Sequence, residues 1–367
     1  MEWVDLARRW VPRPVRFALQ RFVSLTEVKR RYNLRRNPLA DVLESDANPS
    51  GSPITFGIVA NHMQAHKRFV SACLELGVPF TVIDLYKSDW WDRFRKAGCE
   101  ALLVWPDASS PNTARLLKDR LDLLETRQGV TIMPGAHERW MYEDKLRLAD
   151  WLAINDVPHP QTWVFSGREE AEEFARSCPL PIITKTAFGA QATGVRILRS
   201  RAGVRATIAR AFGRGLVADG HDHRDRQRGS VLFQEYLDVT REWRLVRIGD
   251  AYFGHPKGRA GAFHSGSGKV EWDVPEPRHL DFLHAVTELG GFRSMDVDVF
   301  ETVDGRLLVN ELQAVFGAST SVDQMRVDGV AGRMVREDGG WRFEPGDFAR
   351  NACANARVLD VLDRWGA

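Results

Sequence analysis

The stretch that decides the fold is SMDVDVFETVDGRLLVNELQ, residues 294–313, in which two strand-like runs flank a turn. The turn is Asp304-Gly305, a dipeptide that strongly favours a tight two-residue β-hairpin. With this turn at the centre, the antiparallel register pairs Asp298 with Glu311 and Asp296 with Gln313. Because strand side chains alternate, these polar side chains share one face of the hairpin.

Two carboxylates, Asp298 and Glu311, lie directly opposite each other in this register. Directly paired residues have Cβ atoms about 4.5–5.5 Å apart, so two ionised carboxylates repel each other unless something compensates their charge. Magnesium binds oxygen ligands and is commonly held by one or two carboxylates together with substrate phosphates. The hairpin therefore predicts a magnesium site, with an exposed acidic face as the alternative.

A glycine-containing loop follows the apolar strand that ends at Lys185. Its sequence is AFGAQATGV, residues 187–195, and a flexible loop of this kind can fold over phosphates with its backbone N–H groups. The ammonium group of Lys185 supplies a point charge beside the loop, and Lys145 is a second candidate cation. The candidate phosphate-binding residues of the loop are Gly189, Gln191, Thr193 and Gly194.

A further run, VLFQEYL at residues 231–237, is an apolar strand that leads into polar groups. A buried Glu235 needs partners, and an adenine amino group together with backbone groups can provide them. Glu242 can accept hydrogen bonds from ribose hydroxyls, and Arg244 can offer its guanidinium fork to a phosphate or a developing anion. Taken singly, each of these residues is better explained by a surface ion pair.

Residues 255–268, HPKGRAGAFHSGSG, form a glycine-rich segment between Arg244 and the hairpin. A loop of this composition can close over an intermediate that water would otherwise hydrolyse, with an ordinary flexible loop as the alternative. The candidates for contacts to the reacting groups are Lys257, Arg259, His264 and Ser265. Asp296, beside the metal-binding face, is the candidate for binding the cationic amine of an acceptor substrate.

Taken in order, these motifs resemble the ATP-grasp superfamily. The resemblance covers residues 140 to 320 and includes YEDK at 142–145, the Lys185 strand with its glycine loop, QEYL at 234–237, Glu242 and the hairpin. It implies an ATP-grasp fold, in which two α+β subdomains clasp ATP, after a small α/β domain with a parallel sheet. It also implies ATP and Mg²⁺ as cofactors, with Mn²⁺ as a substitute for Mg²⁺.

The resemblance also implies a role for each motif. It implies Lys145 and Lys185 for the phosphates, Glu235 and Leu237 for adenine, Glu242 for ribose, and Asp298 and Glu311 for magnesium. Beside these, Gln234 and Tyr236 are candidates for ATP binding, Gln313 is a candidate metal ligand, and Arg244, Lys257 and Arg259 are the candidate catalytic residues.

Two positions depart from the family pattern. Gln313 stands where the family usually has asparagine; its amide oxygen can still bind a metal, although the side chain is one methylene longer. The hairpin resembles that of D-alanine–D-alanine ligases, but those enzymes carry arginine at the position of Asp296, and an acid cannot stabilise an oxyanion. D-alanine dipeptide synthesis is therefore not expected. The segment 242–244 instead resembles glutathione synthetase and the ribosomal-protein glutamate ligases, so the subfamily stays open.

The chain divides by its sequence pattern into four segments. Residues 1–53 are a basic, amphipathic segment with a linker, residues 54–140 the α/β domain, residues 141–330 the ATP-grasp domain with subdomains at 141–230 and 231–330, and residues 331–367 a C-terminal extension. His62 and His66 follow the first strand of the α/β domain, at a position where open sheets often bind ligands. We expect both to be satisfied structural histidines.

Composition excludes several classes of protein. The formal net charge of +2 gives no case for nucleic acid, and four scattered cysteines indicate a reducing cytoplasm. No apolar run approaches the roughly 20 residues that span a bilayer, so we expect no transmembrane segment. The basic N-terminus is expected to pack on the protein itself, with a peripheral contact to lipid or protein as the alternative. A homo-oligomer is compatible with the sequence.

These motifs predict an ADP-forming ligase that joins a small-molecule carboxylate to an amine, such as an amino acid, through an acyl phosphate. Magnesium and the lysines offset charge during phosphoryl transfer. Two alternatives remain: a kinase that stops after transferring phosphate to a hydroxyl, and a nucleotide-binding module without catalytic activity.

Overall fold

The computed structural model describes residues 54–108, 110–189, 192–218, 222, 225–258, 273–315 and 325–365, with the isolated positions 15, 28, 31 and 32. The basic N-terminal segment otherwise lies outside the described residues. So do four of the predicted site residues, which are Gln191, Arg259, His264 and Ser265.

The first unit is a parallel sheet, as the sequence predicted. Its strands follow the order β2-β1-β3-β4, and short apolar runs such as FGIV and ALLV are buried on both faces. The strands are β1 (Phe56–Val59), β2 (Phe80–Ile83), β3 (Ala101–Val104) and β4 (Thr131–Met133), and the helices are α1 (Lys67–Leu76), α2 (Trp90–Ala97) and α3 (Pro111–Gln128).

The second unit is a four-stranded antiparallel sheet with the order β5-β8-β6-β7. Two short helices, α4 (Ala136–Met141) and α5 (Lys145–Ile154), lead into it, and Asp144 caps α5 by accepting hydrogen bonds from the N–H groups of residues 146 and 147. The remaining elements are β5 (Thr162–Phe165), α6 (Arg168–Ser177), β6 (Ile182–Lys185), β7 (Arg196–Leu198), α7 (Arg201–Phe212) and β8 (Val231–Glu235).

The third unit is a large antiparallel sheet in the order β12-β11-β9-β10-β14-β13, with β15 paired to β14. Helix α8 (Pro277–Gly290) packs on it through Leu280, Leu283 and Val286. Its strands are β9 (Val239–Ile248), β10 (Ala251–Lys257), β11 (Ser294–Thr302), β12 (Leu307–Gln313), β13 (Arg326–Val327), β14 (Val330–Glu337) and β15 (Gly340–Pro345).

The C-terminal residues belong to this packing. Strands β14 and β15 extend the large sheet, and α9 (Arg350–Trp365) packs with β1 and α1 in one apolar cluster. That cluster joins Phe56 and Phe69 of the first unit to Val246 of β9 and Val358 of α9. The predicted domain limits remain a prediction, but the segment after residue 330 is not separate from the rest of the fold.

The β11–β12 hairpin has the predicted pairs but a different turn. Asp298 pairs with Glu311 and Asp296 with Gln313, as expected. At the turn, however, Glu301 pairs with Leu307 and Thr302 N donates to Arg306 O, which leaves a loop of three residues, 303–305. The two-residue turn was therefore wrong. A bulge at Asn310 compensates, because it adds one residue to β12 between the pairs Val299/Val309 and Asp298/Glu311.

Among the described residues, no helix is long and apolar enough to cross a membrane.

A substitution at Gly254 in β10 can test how closely β9 and β10 approach each other. A Cβ atom at this position would lie 2.6 Å from the backbone oxygen of Arg244. We expect Gly254→Ala to lower the free energy of unfolding by about 2 kcal/mol, because the two strands must shift to accept the methyl group. Urea denaturation measures this change. Gly340→Ala is the matched control, since a Cβ there meets nothing within 4 Å; equal losses for the two variants would contradict the close approach.

Candidate active site

Four adjacent strands of the large sheet present charged side chains on one face. Because the strands are antiparallel neighbours, their register places the charges in rows. Asp298 of β11 pairs with Arg244 of β9, and Lys257 of β10 pairs with Glu242 of β9. The outer strand β12 adds Glu311 opposite Asp298. The site is thus built by sheet register.

Arg244 lies between two aspartates of β11. Its Nε atom is 3.0 Å from Asp296 Oδ2 and 3.3 Å from Asp298 Oδ1. Asp296 is only 1% exposed, and burial raises its pKa to about 8 in spite of the neighbouring Arg244. Asp296 was expected to bind a substrate amine. The structure instead places it against a cation of the chain itself, which favours a role in holding Arg244.

Lys257 neutralises the acids at the centre of the face. Its Nζ atom is 2.9 Å from Glu242 Oε1 and also contacts Asp298 Oδ2. Burial alone raises the pKa of Asp298, but Lys257 and Arg244 outweigh it and hold that pKa below its ordinary value. The sequence placed Lys257 in a flexible loop; residues 255–257 are in fact part of strand β10. The role predicted for Glu242 at ribose stays a prediction.

Lys145 connects the glycine loop to the second metal-binding candidate. Its Nζ atom donates to Gly189 O at 2.9 Å and lies 2.9 Å from Glu311 Oε1. Burial raises the pKa of Glu311, but Lys145 outweighs it, so the pKa lies below its ordinary value. The Gln313 Nε2 donates to Glu311 at 3.0 Å, while its Oε1 has no hydrogen-bond partner among the described residues.

Lys185 has a different kind of partner. Its Nζ atom donates to the amide oxygen of Asn310 at 2.9 Å, and among the described residues no carboxylate lies within ion-pair distance of it. Burial, reinforced by the charge of Lys145, lowers the pKa of Lys185 to about 8. A desolvated ammonium group of this kind is stabilised by an incoming anion.

Two residues of the site were missed by the sequence analysis. Asn310, the bulge residue, joins Lys185 to Glu242, since its Nδ2 donates to Glu242 Oε1 at 3.3 Å. Glu143 follows Tyr142 with a positive φ of 54°, and burial raises its pKa although Lys145 lies close by. The conformation of Glu143 has no clear sequence signal, whereas Asn310 could have been considered because it directly precedes Glu311.

The glycine loop is fixed at both ends. Thr186 N donates to Gly194 O at 3.2 Å, and a Cβ on Gly194 would lie 1.9 Å from Thr186 Oγ1, so glycine is required there. Gly189 has a φ of 125°, which also requires glycine. Thr193 lies in the turn between them. The loop therefore has a defined conformation on both sides of the residues outside the description.

The predicted adenine hinge lies at the end of β8. Gln234 is buried and donates to Thr162 Oγ1 at 2.9 Å, and Tyr236 is exposed. Glu235 is only partly buried; its Oε1 atom accepts a hydrogen bond from Gln161 N at 2.7 Å. The carboxylate thus has a backbone partner already. Binding of adenine by Gln234, Glu235, Tyr236 and Leu237 remains a prediction.

Structural comparison places this arrangement among known folds. The chain superposes on N5-carboxyaminoimidazole synthase from Aspergillus clavatus, solved with ADP and 5-aminoimidazole ribonucleotide, with a TM-score of 0.54 and 10% identity over 84% of this chain and 77% of that one. The Staphylococcus aureus N5-carboxyaminoimidazole synthetase, solved with ADP, gives a TM-score of 0.53 and 12% identity over 85% and 78% of the chains. Both are ATP-grasp proteins. This chain has the ATP-grasp fold.

Sequence comparison agrees with this ATP-grasp assignment. N5-carboxyaminoimidazole ribonucleotide synthase from Mycobacterium tuberculosis is 30% identical over 210 residues, which cover 52% of this chain and 44% of the relative. The chain thus spans less than half the length of the curated relative that it matches. No family model matches the sequence. The resemblance to the ATP-grasp superfamily and the predicted fold are confirmed.

Lys257 tests whether the charged face depends on internal pairing. We expect Lys257→Met to lower the free energy of unfolding by about 3 kcal/mol, because it leaves Asp298 and Glu242 buried with one cation fewer. Chemical denaturation in buffer without nucleotide or metal measures this loss. Lys118→Met, which breaks a surface pair with Asp122, is the control and should cost about 0.5 kcal/mol or less. Similar values for the two variants would show that the buried pairs contribute little.

Proposed function

We propose that this chain is an ATP- and magnesium-dependent ligase that joins a carboxylate to an amine and releases ADP and phosphate. The observation that carries the proposal is the buried charged face. It contains two opposed carboxylates, Asp298 and Glu311, each in contact with a lysine that can move to a phosphate oxygen. The names of the structural neighbours, which were solved with ADP, support a nucleotide at this site.

The residues on this face fit a magnesium ion. The neighbouring lysines keep the pKa values of Asp298 and Glu311 low, so both carboxylates are ionised at neutral pH. Gln313 Oε1 is a buried amide oxygen for which the described residues provide no hydrogen-bond donor. Within the described residues no group of three His, Cys, Asp or Glu side chains forms a metal site, so Gln313 and phosphate oxygens would complete the ligand set. The bound ion would offset phosphate charge.

The basic side chains would hold the phosphates and the reacting carboxylate. Lys145 and Lys185 stand at the two sides of the glycine loop and reach the same carboxylate-rich face. Lys257 lies beside Asp298, where it would offset the negative charge of the phosphoryl group during its transfer. Arg244 would bind the carboxylate substrate, because its guanidinium group is held rigidly by Asp296 and Asp298. Arg259, His264 and Ser265 remain candidates for substrate contacts.

The chemistry then follows in two displacements. A carboxylate oxygen attacks the γ-phosphorus of ATP, the bond to the bridging oxygen breaks, and ADP leaves with its electron pair. The resulting acyl phosphate is attacked at its carbonyl carbon by an amine; a C–N bond forms, and phosphate leaves. Arg244 and the lysines stabilise the negative charge that develops in both steps.

Two kinds of carboxylate substrate should be tested first. An amino acid is one, since peptide-bond formation fits the motifs of the hairpin and of residues 242–244. Bicarbonate is the other, because the name of the M. tuberculosis relative denotes an amine that carries a carboxyl group on nitrogen. The assay is ATP-to-ADP conversion with a pool of amino acids, small dicarboxylates and bicarbonate, with mass spectrometry of products. A stable phosphorylated product would indicate a kinase, and AMP would exclude the acyl-phosphate route.

Glu311 is the sharpest single test of the active site. We expect Glu311→Gln to reduce ADP formation at least about 100-fold, because a neutral amide replaces a metal-binding carboxylate. Asp304→Asn, at the exposed tip of the same hairpin, is the matched control and should retain activity. If Glu311→Gln turns over ATP like wild type, or if it retains biological activity without turnover, the enzyme proposal fails.

Lys145 should affect cation and nucleotide binding in opposite directions. In the protein alone its ammonium group neutralises Glu311, so Mg²⁺ without nucleotide competes with it. We expect Lys145→Met to increase the rise in Tm produced by Mg²⁺ alone and to decrease the rise produced by Mg²⁺ with ATP. Differential scanning fluorimetry measures both changes, with Lys118→Met as control. Changes of the same sign in the two experiments would contradict the exchange of partners.

A further inference from the structure

A second polar cluster lies at the carboxyl edge of the parallel sheet. His62 follows β1, Tyr86 follows β2, and Asp107 follows β3, so three successive strand ends contribute to it. The strand order β2-β1-β3-β4 reverses direction between β1 and β3, and ligands of open α/β sheets bind at such a reversal. His62 and Asp107 stand on its two sides.

The contacts within the cluster orient the His62 ring. His62 Nδ1 is 3.3 Å from Asp107 Oδ2, and the Tyr86 hydroxyl donates to the same oxygen at 3.0 Å. The rings of His62 and Tyr86 stack with centroids 4.1 Å apart. A carboxylate oxygen beside Nδ1 favours the tautomer in which Nδ1 carries the proton and donates a hydrogen bond, and this leaves the lone pair on Nε2. The cluster therefore presents an oriented base.

His66 shows what a structural histidine looks like in the same loop. It is 0% exposed, its Nδ1 accepts from Asn61 N at 3.0 Å, and burial lowers its pKa to about 4. The side chain of His62 keeps 28% exposure. Both histidines have partners, as expected: His66 accepts a hydrogen bond from a backbone N–H group, and His62 contacts Asp107 and Tyr86. His62 differs from His66 in that its ring stays partly exposed at the sheet edge.

The cluster lies beside the proposed nucleotide site. Ser110, in the loop after β3, donates to Asp225 Oδ1 at 3.0 Å and so joins this edge to the segment before β8. Trp105, two residues before Asp107, and Val315, two residues after Gln313, belong to one apolar cluster, and Tyr142 packs against it. Burial raises the pKa of Tyr142, and the charges of Glu143, Asp107 and Glu311 raise it further. Asp107 and the proposed metal ligand Glu311 therefore act on one phenol group.

We propose that His62, positioned by Asp107 and Tyr86, binds the acceptor amine and takes its proton. This inference rests on the proposed ligase function and assigns the acceptor to the edge of the parallel sheet. The amine nitrogen attacks the acyl carbon, the C–N bond forms, the C–O bond to phosphate breaks, and the N–H proton passes to His62 Nε2. The imidazolium is then stabilised by the negative charge of Asp107, which acts as a positioning residue.

Comparing an amine with hydroxylamine as the nucleophile distinguishes a catalytic role of His62 from a structural one. The full chain is incubated with Mg²⁺, ATP and a pool of the proteinogenic amino acids, small dicarboxylates and bicarbonate, with or without hydroxylamine. Hydroxylamine is neutral at pH 7 and traps acyl phosphates as hydroxamates without a protein base. We expect His62→Gln to lower amide formation by about 100-fold and to keep hydroxamate formation within about threefold of wild type. His137→Gln, at an exposed position, is the control.

Chemical rescue supplies the second readout. Added imidazole should restore amide formation to His62→Ala, and Asp107→Asn should lower amide formation while leaving hydroxamate formation in place. Equal loss of both products in His62→Gln, or no loss of either, would overturn the assignment of His62. Wild-type protein that forms neither ADP nor hydroxamate with any acid of the pool would instead overturn the proposed ligase function, and the inference with it.

Discussion

The site depends on one constraint: charges buried on paired strands must be compensated by charges on the neighbouring strands. Asp296, Asp298 and Glu242 are each no more than 2% exposed. An isolated buried carboxylate is strongly destabilising, and removing one partner of a buried pair is costly. The register of β9 with β10 and β11 compensates the buried carboxylates, because it places Arg244 and Lys257 directly beside them. The face proposed to bind ligands must therefore also be close to neutral when the protein folds.

This compensation explains why metal and nucleotide are expected to bind together. In the protein alone, Lys145 and Lys257 occupy the carboxylates that a divalent cation would need. On the proposed function, a bound polyphosphate would give the lysines phosphate partners, and the released carboxylates would hold the metal. After such an exchange every buried charge would still have a partner of opposite sign. Lys185 differs, since its amide partner Asn310 carries no charge, and an anion at this position completes a pairing that the described residues leave open.

The sequence was sufficient for local structure and for the acid pair of the hairpin. Alternating runs predicted the two strands of the hairpin, and the pattern of residues 54–140 predicted the α/β domain with its parallel sheet, because alternation and buried apolar runs are local signals. The pairing of Asp298 with Glu311 was right although the turn was wrong: the three-residue loop and the bulge at Asn310 offset each other. A bulge leaves no mark in an alternating pattern, which is why the contact of Asn310 with Lys185 was missed. The partners of Lys257 and His62 were missed for another reason, since they lie on strands distant in sequence.

Tyr142 interacts electrostatically with a carboxylate of each polar cluster. It stands where Asp107 of the sheet edge and Glu311 of the charged face both raise its pKa, after burial, so the phenol stays neutral at any physiological pH. A neutral ring at this point adds no charge to those of the two carboxylates. A lysine here would pair with one acid and weaken the compensation on the other side, whereas an acid would add repulsion. These charges favour an uncharged side chain at position 142, and the following Glu143 has a positive φ of 54° shortly before α5 begins at Lys145.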